Sequence, residues 1–177
     1  ACTRVALQKL GKSMEIFSYF DVRLRSFGDW LQQLFAESEG KDGKGAYPTS
    51  LSFPRDLHSV GQFLQQGTQI FSETMILFDE PSADFTIPES AGSAYAGKTL
   101  AGIKRCFEEG VLKAHSDGGI PIILIKAERL DEFNLGKLIY FFEMSAAISS
   151  MLLGVNPFDQ PGVESYKREV KKLVGAL

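Results

Sequence analysis

Few of the side chains that build metal or disulfide sites occur in this sequence. It contains 2 cysteines and 2 histidines among 177 residues, and no Cys-x-x-Cys pair or Cys/His cluster has metal-binding spacing. Cys2 lies near the first residue and Cys106 in a predicted helix, so a disulfide framework is not expected. These absences exclude a domain held together by zinc or disulfides and favour a reduced, cytoplasmic protein.

The sequence also lacks a concentrated charge and an uninterrupted apolar run. Its formal net charge is −3, with acidic and basic residues interleaved, whereas nucleic acid binding requires a concentrated basic surface. The longest apolar-rich stretch, residues 138–155, contains Glu143 and three serines, so we do not expect it to span a bilayer. No secretory signal is expected in the first residues. Nucleic acid and membrane are therefore not predicted partners.

The composition that remains is that of an ordinary globular domain. Hydrophobic residues make up 44% of the chain and charged residues 23%. Three short runs have strand character, at residues 14–20, 74–78 and 121–125. The second and third are almost continuously apolar, which is typical of strands buried on both faces of a parallel sheet. Because the first residue is Ala1, we expect a piece of a longer chain.

Segments with helical periodicity alternate with these strands. Apolar residues from Phe27 to Phe35 repeat at i, i+3 and i+4, which predicts an amphipathic helix over residues 22–36. Further helices are predicted around residues 57–64 and over residues 97–114, 131–153 and 163–174, and the helix over 131–153 is apolar enough to be placed at the centre of the core. The alternation predicts an α/β fold, namely a three-layer α/β/α sandwich with a mainly parallel sheet. We expect residues 1–177 to form a single domain.

Two residues are candidates for proton transfer. Glu37 lies where the first amphipathic helix meets the polar, glycine-rich segment 39–45, so its carboxylate could face a cleft. A solvated acidic helix end is the simpler interpretation from composition alone. His58 falls on the polar side of its predicted helix and suits a proton shuttle, with a surface histidine as the alternative. His115, before Ser-Asp-Gly-Gly, is assigned a structural role at a helix end.

The segment NPFDQPGVESYK, residues 156–167, combines a stiff loop with a cation. Its two prolines flank Asp159 and Gln160, and the last predicted helix carries Lys167. Because Lys167 follows Glu164 by three residues, a surface ion pair is the alternative to a functional cation. Segment 40–45 lacks the P-loop spacing, and no Gly-x-Ser-x-Gly motif occurs.

Taken together, several of these segments resemble phosphoglucose isomerases. FDQPGVESYK, residues 158–167, is similar to the C-terminal signature of that family. ESEGKDGKG, residues 37–45, and DLHSVGQ, residues 56–62, are similar to the segments that carry its other catalytic groups. LLGVNPFDQPGVE and AHSDGGIP point to the shorter bacterial branch. The resemblance implies a C-terminal domain of the sugar-isomerase (SIS) type.

The resemblance also implies a reaction and a set of roles. Glucose 6-phosphate and fructose 6-phosphate would be interconverted through a cis-enediol. Glu37 would move a proton between C1 and C2, His58 would help to open the sugar ring from the neighbouring subunit, and Lys167 would lie beside the ring oxygen. Gln33 and Gln160 would line the sugar pocket. A non-catalytic SIS-type module that binds sugar phosphates is the alternative, and a secreted signalling role is a remote third.

Partners follow from the same resemblance. They are the sugar phosphate, the missing N-terminal half with its phosphate-binding serine and threonine cluster and an arginine, and a second subunit of a homodimer. No metal or redox cofactor is implied. The chain alone is therefore expected to be inactive.

Overall fold

A four-stranded, all-parallel sheet with strand order β2-β1-β3-β4 organises the chain. The computed structural model describes residues 1–81 and 83–176. The strands are β1 (Met14–Tyr19), β2 (Tyr47–Ser52), β3 (Phe71–Glu80) and β4 (Ile122–Arg129). The helices are α1 (Cys2–Lys9), α2 (Arg25–Glu39), α3 (Val60–Gln66), α4 (Leu100–Asp117), α5 (Glu132–Leu153) and α6 (Pro161–Val174), with 3₁₀ turns at Val22–Leu24, Arg55–His58 and Glu89–Ala91.

Helices cover both faces of the sheet, which confirms the predicted α/β/α sandwich. Successive side chains of a strand point to opposite faces, so Phe17 and Ile16 of β1 enter different cores. Phe17 packs with residues of α2 and α5, including Phe35 and Phe142. Ile16 packs with Leu64 of α3 and with partly buried residues of α4. The two hydrophobic clusters therefore lie on opposite sides of one sheet.

The sequence predicts three of the four strands, with shorter bounds for β3 and β4 than observed. β2 was missed because its sequence, YPTSLS, is polar and contains a proline. Pro48 cannot donate a backbone hydrogen bond, and such residues occur at sheet edges. β2 is an edge strand whose partner is β1, so the proline is compatible with the ladder.

Several helices begin or end at residues other than those predicted, and capping side chains explain where two of them begin. The helix predicted over 22–36 is divided into a 3₁₀ turn, which Asp21 caps, and α2, which continues to Glu39. The helix predicted from residue 97 begins at Leu100, because the Thr99 hydroxyl accepts a hydrogen bond from the backbone of Gly102. The helix predicted over 131–153 is confirmed, with Asp131 as its N-terminal cap.

α5 does not lie at the centre of the core, so that part of the prediction was wrong. Its inner side carries Leu138, Phe142 and Ala146 but also three buried serines, Ser145, Ser149 and Ser150. Its outer face, defined as Tyr140, Phe141, Met144, Ile148, Met151 and Leu152, is 42–66% exposed. In the second half of α5, the exposed side is thus more apolar than the buried side. Among the described residues, α5 is the one helix whose length and composition would suffice to cross a membrane.

α6 extends from the sandwich with little packing of its own. None of its described residues is buried. Tyr166, Val170 and Leu173, which recur at helical spacing, are 58%, 54% and 71% exposed. Its position therefore depends on the loop that connects it to α5.

A buried arginine of α1 forms hydrogen bonds with β1, α2 and, through Ser149, α5 at the edge where the strands begin. Arg4 of α1 is 5% exposed. Its guanidinium donates to both carboxylate oxygens of Glu15 in β1, at 2.9 Å from Nε to Oε1 and 2.5 Å from Nη2 to Oε2. It also donates to Glu39 at the end of α2, at 2.5 Å from Nη1 to Oε1, and its Cζ lies 3.7 Å from the centre of the Phe35 ring.

Neutral donors complete the coordination of the two carboxylates. The Thr74 hydroxyl donates to Glu15 at 2.7 Å, the Gln8 amide donates to Glu39 at 3.1 Å, and the Ser149 hydroxyl of α5 also donates to Glu39. Burial alone would lower the pKa of Arg4, but attraction and hydrogen bonds from Glu15, and then from Glu39, outweigh it and raise that pKa. The guanidinium is therefore held charged inside the domain.

Replacement of Arg4 by methionine is expected to lower the free energy of unfolding by about 3–5 kcal/mol, because two buried carboxylates would lose their cation. Urea unfolding followed by circular dichroism would measure the loss. Arg168→Met, on the exposed surface of α6, is the matched control and should change stability by about 0.5 kcal/mol or less. Equal effects of the two substitutions would contradict the role given to Arg4.

Candidate active site

The end of α2 lies at the amino edge of the sheet, where the parallel strands begin. α2 follows β1 and runs back across the sheet. Its last residue, Glu39, is tied through Arg4 to Glu15, the second residue of β1. α5 returns in the same way after β4, and its Ser149 reaches Glu39. The loops that follow α2 and α5 therefore meet at this edge.

Glu37 is held there between two amide groups. Gln33, one turn earlier in α2, donates from Nε2 to Glu37 Oε1 at 3.1 Å. Gln160, in the loop after α5, donates from Nε2 to Glu37 Oε2 at 2.7 Å across 123 residues of sequence. All three side chains are exposed. The structure thus brings together three of the five residues singled out from the sequence.

Lys167 is nearby in the fold but does not join this group. It lies on α6, whose N-terminal cap is Gln160, about 9 Å along the helix from Pro161. Its Nζ lies 3.1 Å from Glu164 Oε1, and the two side chains are 54% and 67% exposed. The ion pair that the i, i+3 spacing indicated is present.

His58 lies at the opposite edge of the sheet from Glu37. It ends the 3₁₀ turn that follows β2, and it is exposed. β2 has six residues and so spans roughly 20 Å, with the α2 connection at its beginning and His58 after its end. One chain therefore does not place His58 and Glu37 in the same site.

The turn that carries His58 is fixed by Asp56. Asp56 Oδ2 accepts a hydrogen bond from the backbone N–H of Ser52 at 2.7 Å, and Arg55 donates to both carboxylate oxygens. The hydrogen bond from Arg55 is the largest cause that lowers the pKa of Asp56, with a further contribution from Ser52. The ionised carboxylate thus closes the turn between β2 and His58.

Glu73 of β3 is a further buried acid that the sequence did not single out, as it did not single out Glu15 and Glu39. It is fully buried, accepts a hydrogen bond from the Ser18 hydroxyl at 2.5 Å and lies 2.6 Å from Nδ1 of His115. His115 therefore has a buried contact rather than an exposed position at the end of α4. The sequence signal for this buried acid was an acidic residue next to a run of strand residues. The first eight positions of β3, Glu73 among them, are buried.

The candidate site is an open surface. Three cavities of about 650, 610 and 530 Å³ lie against α4 or between α2 and α5, and neither Glu37 nor Gln160 lines them. Within residues 1–81 and 83–176, no group of three or more His, Cys, Asp and Glu side chains could hold a metal ion. A carboxylate between two amides on an open surface can bind and transfer a proton, but further groups are needed to enclose a substrate.

Comparison with known proteins extends this description. No family profile matches the chain. It is 44% identical over 180 residues to the glucose-6-phosphate isomerase of Lacticaseibacillus casei and 46% identical to that of Streptococcus pyogenes serotype M4. Each alignment covers 99% of this chain and 40% of the relative. The chain thus spans less than half the length of the curated relatives that it matches.

Two solved structures share the fold. A protein of Thermus thermophilus described as hypothetical superposes with a TM-score of 0.85 at 25% identity, over 96% of this chain and 44% of that one. A glucose-6-phosphate isomerase of Chlamydia trachomatis superposes with a TM-score of 0.80 at 22% identity, over 94% of this chain and 35% of that one.

The all-parallel sheet and its two helical layers define an α/β fold, which the two solved structures share. More particularly, the identity along almost the whole chain shows that it belongs to the glucose-6-phosphate isomerase family, as one part of the longer enzyme.

Replacement of Asp56 by asparagine is expected to destabilise the protein at pH 7 and to matter less in acid. Because the folded-state pKa of Asp56 is lowered, its stabilisation is present above the ordinary aspartate pKa and is lost as the pH falls through the folded value. The free energy of unfolding of variant and wild type, measured at neutral pH and in acid, should differ less in acid. Asp42→Asn, at an exposed left-handed position that asparagine also tolerates, should match wild type at both values. A difference in the free energy of unfolding that is the same at both pH values would refute this role of the carboxylate.

Proposed function

We propose that this chain supplies the C-terminal part of the active site of an enzyme that interconverts glucose 6-phosphate and fructose 6-phosphate. The observation that carries the proposal is the pair of amide groups, from Gln33 and Gln160, on the carboxylate of Glu37. Two donors on separate elements orient the carboxylate and leave it open to a substrate on the exposed side. A solvated helix end would not need a bond from a residue so distant in sequence.

Glu37 is the base in this proposal. A carboxylate beside C1 and C2 of the open-chain sugar takes the proton from one carbon and returns it to the other through a cis-enediol. A positioned acid–base group contributes roughly 10²–10⁴-fold to such a step. Cations and dipoles at the developing enediolate oxygen contribute more, and Lys167, beside the ring oxygen and the C1 end of the sugar, supplies one charge.

His58 serves the active site of a neighbouring subunit. Its position at the carboxyl edge, away from Glu37, supports this assignment, because one chain cannot use both groups on the same sugar. In a symmetric dimer the contact is reciprocal, so each site receives Glu37 from one chain and His58 from the other. Opening of the sugar ring is a proton transfer for which an imidazole is suited.

The remaining part of the enzyme covers the outer face of α5 and supplies the phosphate site. Monomeric soluble proteins rarely leave a large contiguous apolar patch in water, and the relatives have more than half of their length beyond the matched segment. We place the assembled enzyme, in solution, in the cytoplasm.

The first test uses a completed enzyme, defined as the L. casei isomerase in which the matching segment is replaced by this chain. We expect isomerase activity from the completed enzyme in a coupled assay on fructose 6-phosphate, and none from the isolated chain. Glu37→Gln should lower kcat by about 10²–10⁴-fold, whereas Glu109→Gln, on the exposed surface of α4, should not. Activity of the isolated chain would contradict the divided site. A completed enzyme that binds fructose 6-phosphate but has no isomerase activity would favour a non-catalytic binding module, and an active one that Glu37→Gln leaves unchanged would refute Glu37 as the base.

The second test asks whether His58 acts across subunits. Completed enzymes carrying Glu37→Gln or His58→Asn are each expected to be nearly inactive. After they are unfolded together and refolded, mixed dimers would contain one site with both substitutions and one with neither, so about a quarter of wild-type activity should return. Refolding each variant alone provides the control. No recovery, with mixed dimers shown to form, would place His58 in the site of its own chain or outside any site.

A further inference from the structure

We propose that Lys41 is a positioning residue, which fastens the loop between α5 and α6 to the end of α2 and so sets Gln160 against Glu37. The inference rests on the proposed function of Glu37 and extends it to a residue that does not touch the reacting atoms. It concerns the loop of residues 154–160, here called the α5–α6 loop.

The burial of Lys41 is unusual for its sequence context. It belongs to the polar segment 39–45, in which Lys44 is exposed, yet its own side chain is 8% exposed. Its Nζ lies 3.2 Å from Asp159 Oδ1 and donates to the backbone carbonyl of Asn156. A buried ammonium needs such partners to offset its lost hydration, and both partners belong to the α5–α6 loop.

The backbone of Lys41 is fixed to the rigid end of α2. Its N–H donates to the carbonyl of Glu39 at 2.8 Å, and its own carbonyl accepts from Lys44 at 2.9 Å. Gly45 turns the segment back with φ 89°, and a Cβ there would lie 2.9 Å from the Glu39 carbonyl. Because Glu39 is buried and held by Arg4, Lys41 projects from a helix end that is tied to the interior.

The α5–α6 loop has a defined internal shape but few attachments. Gly154 ends α5 in the left-handed conformation, and buried Val155 donates its N–H to Ser150. The Asn156 side chain accepts from the Phe158 N–H at 3.0 Å. Two prolines, at 157 and 161, stiffen the segment that leads into α6. These features fix the shape of the loop itself, and its position against α2 depends on the contacts between the two.

Among the described residues, the side-chain hydrogen bonds and ion pairs that join this unit to α2 and its following segment are those of Lys41 and the Gln160–Glu37 bond. The latter joins two exposed groups, for which water competes, and contributes about 1 kcal/mol. Without Lys41, water would compete for the Gln160 amide. α6 has no buried residue of its own, so Lys167 would lose its placement as well.

The test compares Lys41→Met with Lys44→Met in the completed enzyme. Methionine keeps an apolar stem but removes the ammonium group, so Glu37 should be less well oriented in the transition state. We expect kcat to fall about 10- to 100-fold, with KM changed by about twofold or less, and Lys41→Arg to recover part of the loss. Lys44→Met should match wild type.

A double-substitution cycle separates positioning from general destabilisation. If Lys41 acts through Gln160, adding Lys41→Met to Gln160→Ala should lower kcat little further, because the contact being positioned is already absent. Additive losses, or equal kcat values for Lys41→Met and Lys44→Met, would overturn the proposal.

Hydrogen exchange gives a readout that does not need activity. Amides of residues 155–163 should exchange faster in Lys41→Met than in Lys44→Met, and residues of β1 should not. An inactive completed enzyme with this exchange pattern would count against the proposed function while supporting the attachment by Lys41. Unchanged exchange would refute the attachment whatever the activity.

Discussion

The placement of Arg4 between Glu15 and Glu39 is the interaction on which the amino edge of the sheet depends. Burying ionised groups is costly, and this cost is offset only when the groups are well oriented and almost fully hydrogen-bonded. Here the hydroxyls of Thr74 and Ser149 supply the additional donors to the two carboxylates. The result is a fixed end of α2. Two residues correspond to about 200° around a helix, so a Glu39 locked into the interior leaves Glu37 facing outward. The buried acid thus determines where the exposed acid points.

Parallel topology then divides the candidate groups between two edges. Strand-to-helix connections lie at the carboxyl edge and helix-to-strand connections at the amino edge, so His58 and Glu37 are separated by the length of β2. Open α/β sheets generally bind ligands at the carboxyl edge, and the carboxylate held by Gln33 and Gln160 is on the other one. A site that needs both groups must draw them from different chains, which is the physical reason for proposing a shared active site.

Periodicity and apolar character explain what the sequence could reveal. The stripe from Phe27 to Phe35 and the apolar run of residues 131–153 are local patterns, and both helices were predicted from them. The Arg4 network escaped prediction because its partners are far apart in sequence, Glu39 at 35 positions from Arg4 and Ser149 at 145, and isolated charges ordinarily indicate surface. The family resemblance suggested Glu37 and Gln160 without indicating their contact, and it did not single out Lys41, whose burial depends on a loop more than a hundred residues away.

The serines on the inner side of α5 explain why its outer face is apolar. Small residues on the inner side, such as Ser145 and Ala146, let α5 approach α1 and α2 closely. At this short distance the Ser149 hydroxyl can donate to Glu39. The large apolar side chains of this half of α5 lie on its other side. Burial of each of these would contribute roughly 1.5–3 kcal/mol, a gain available only when further polypeptide covers them. In the proposed enzyme, α5 would lie between this domain and the remaining part of the polypeptide. The loop held by Lys41 begins at the C-terminal end of α5. Contacts made on the outer face of α5 would therefore influence the position of Gln160, which orients Glu37.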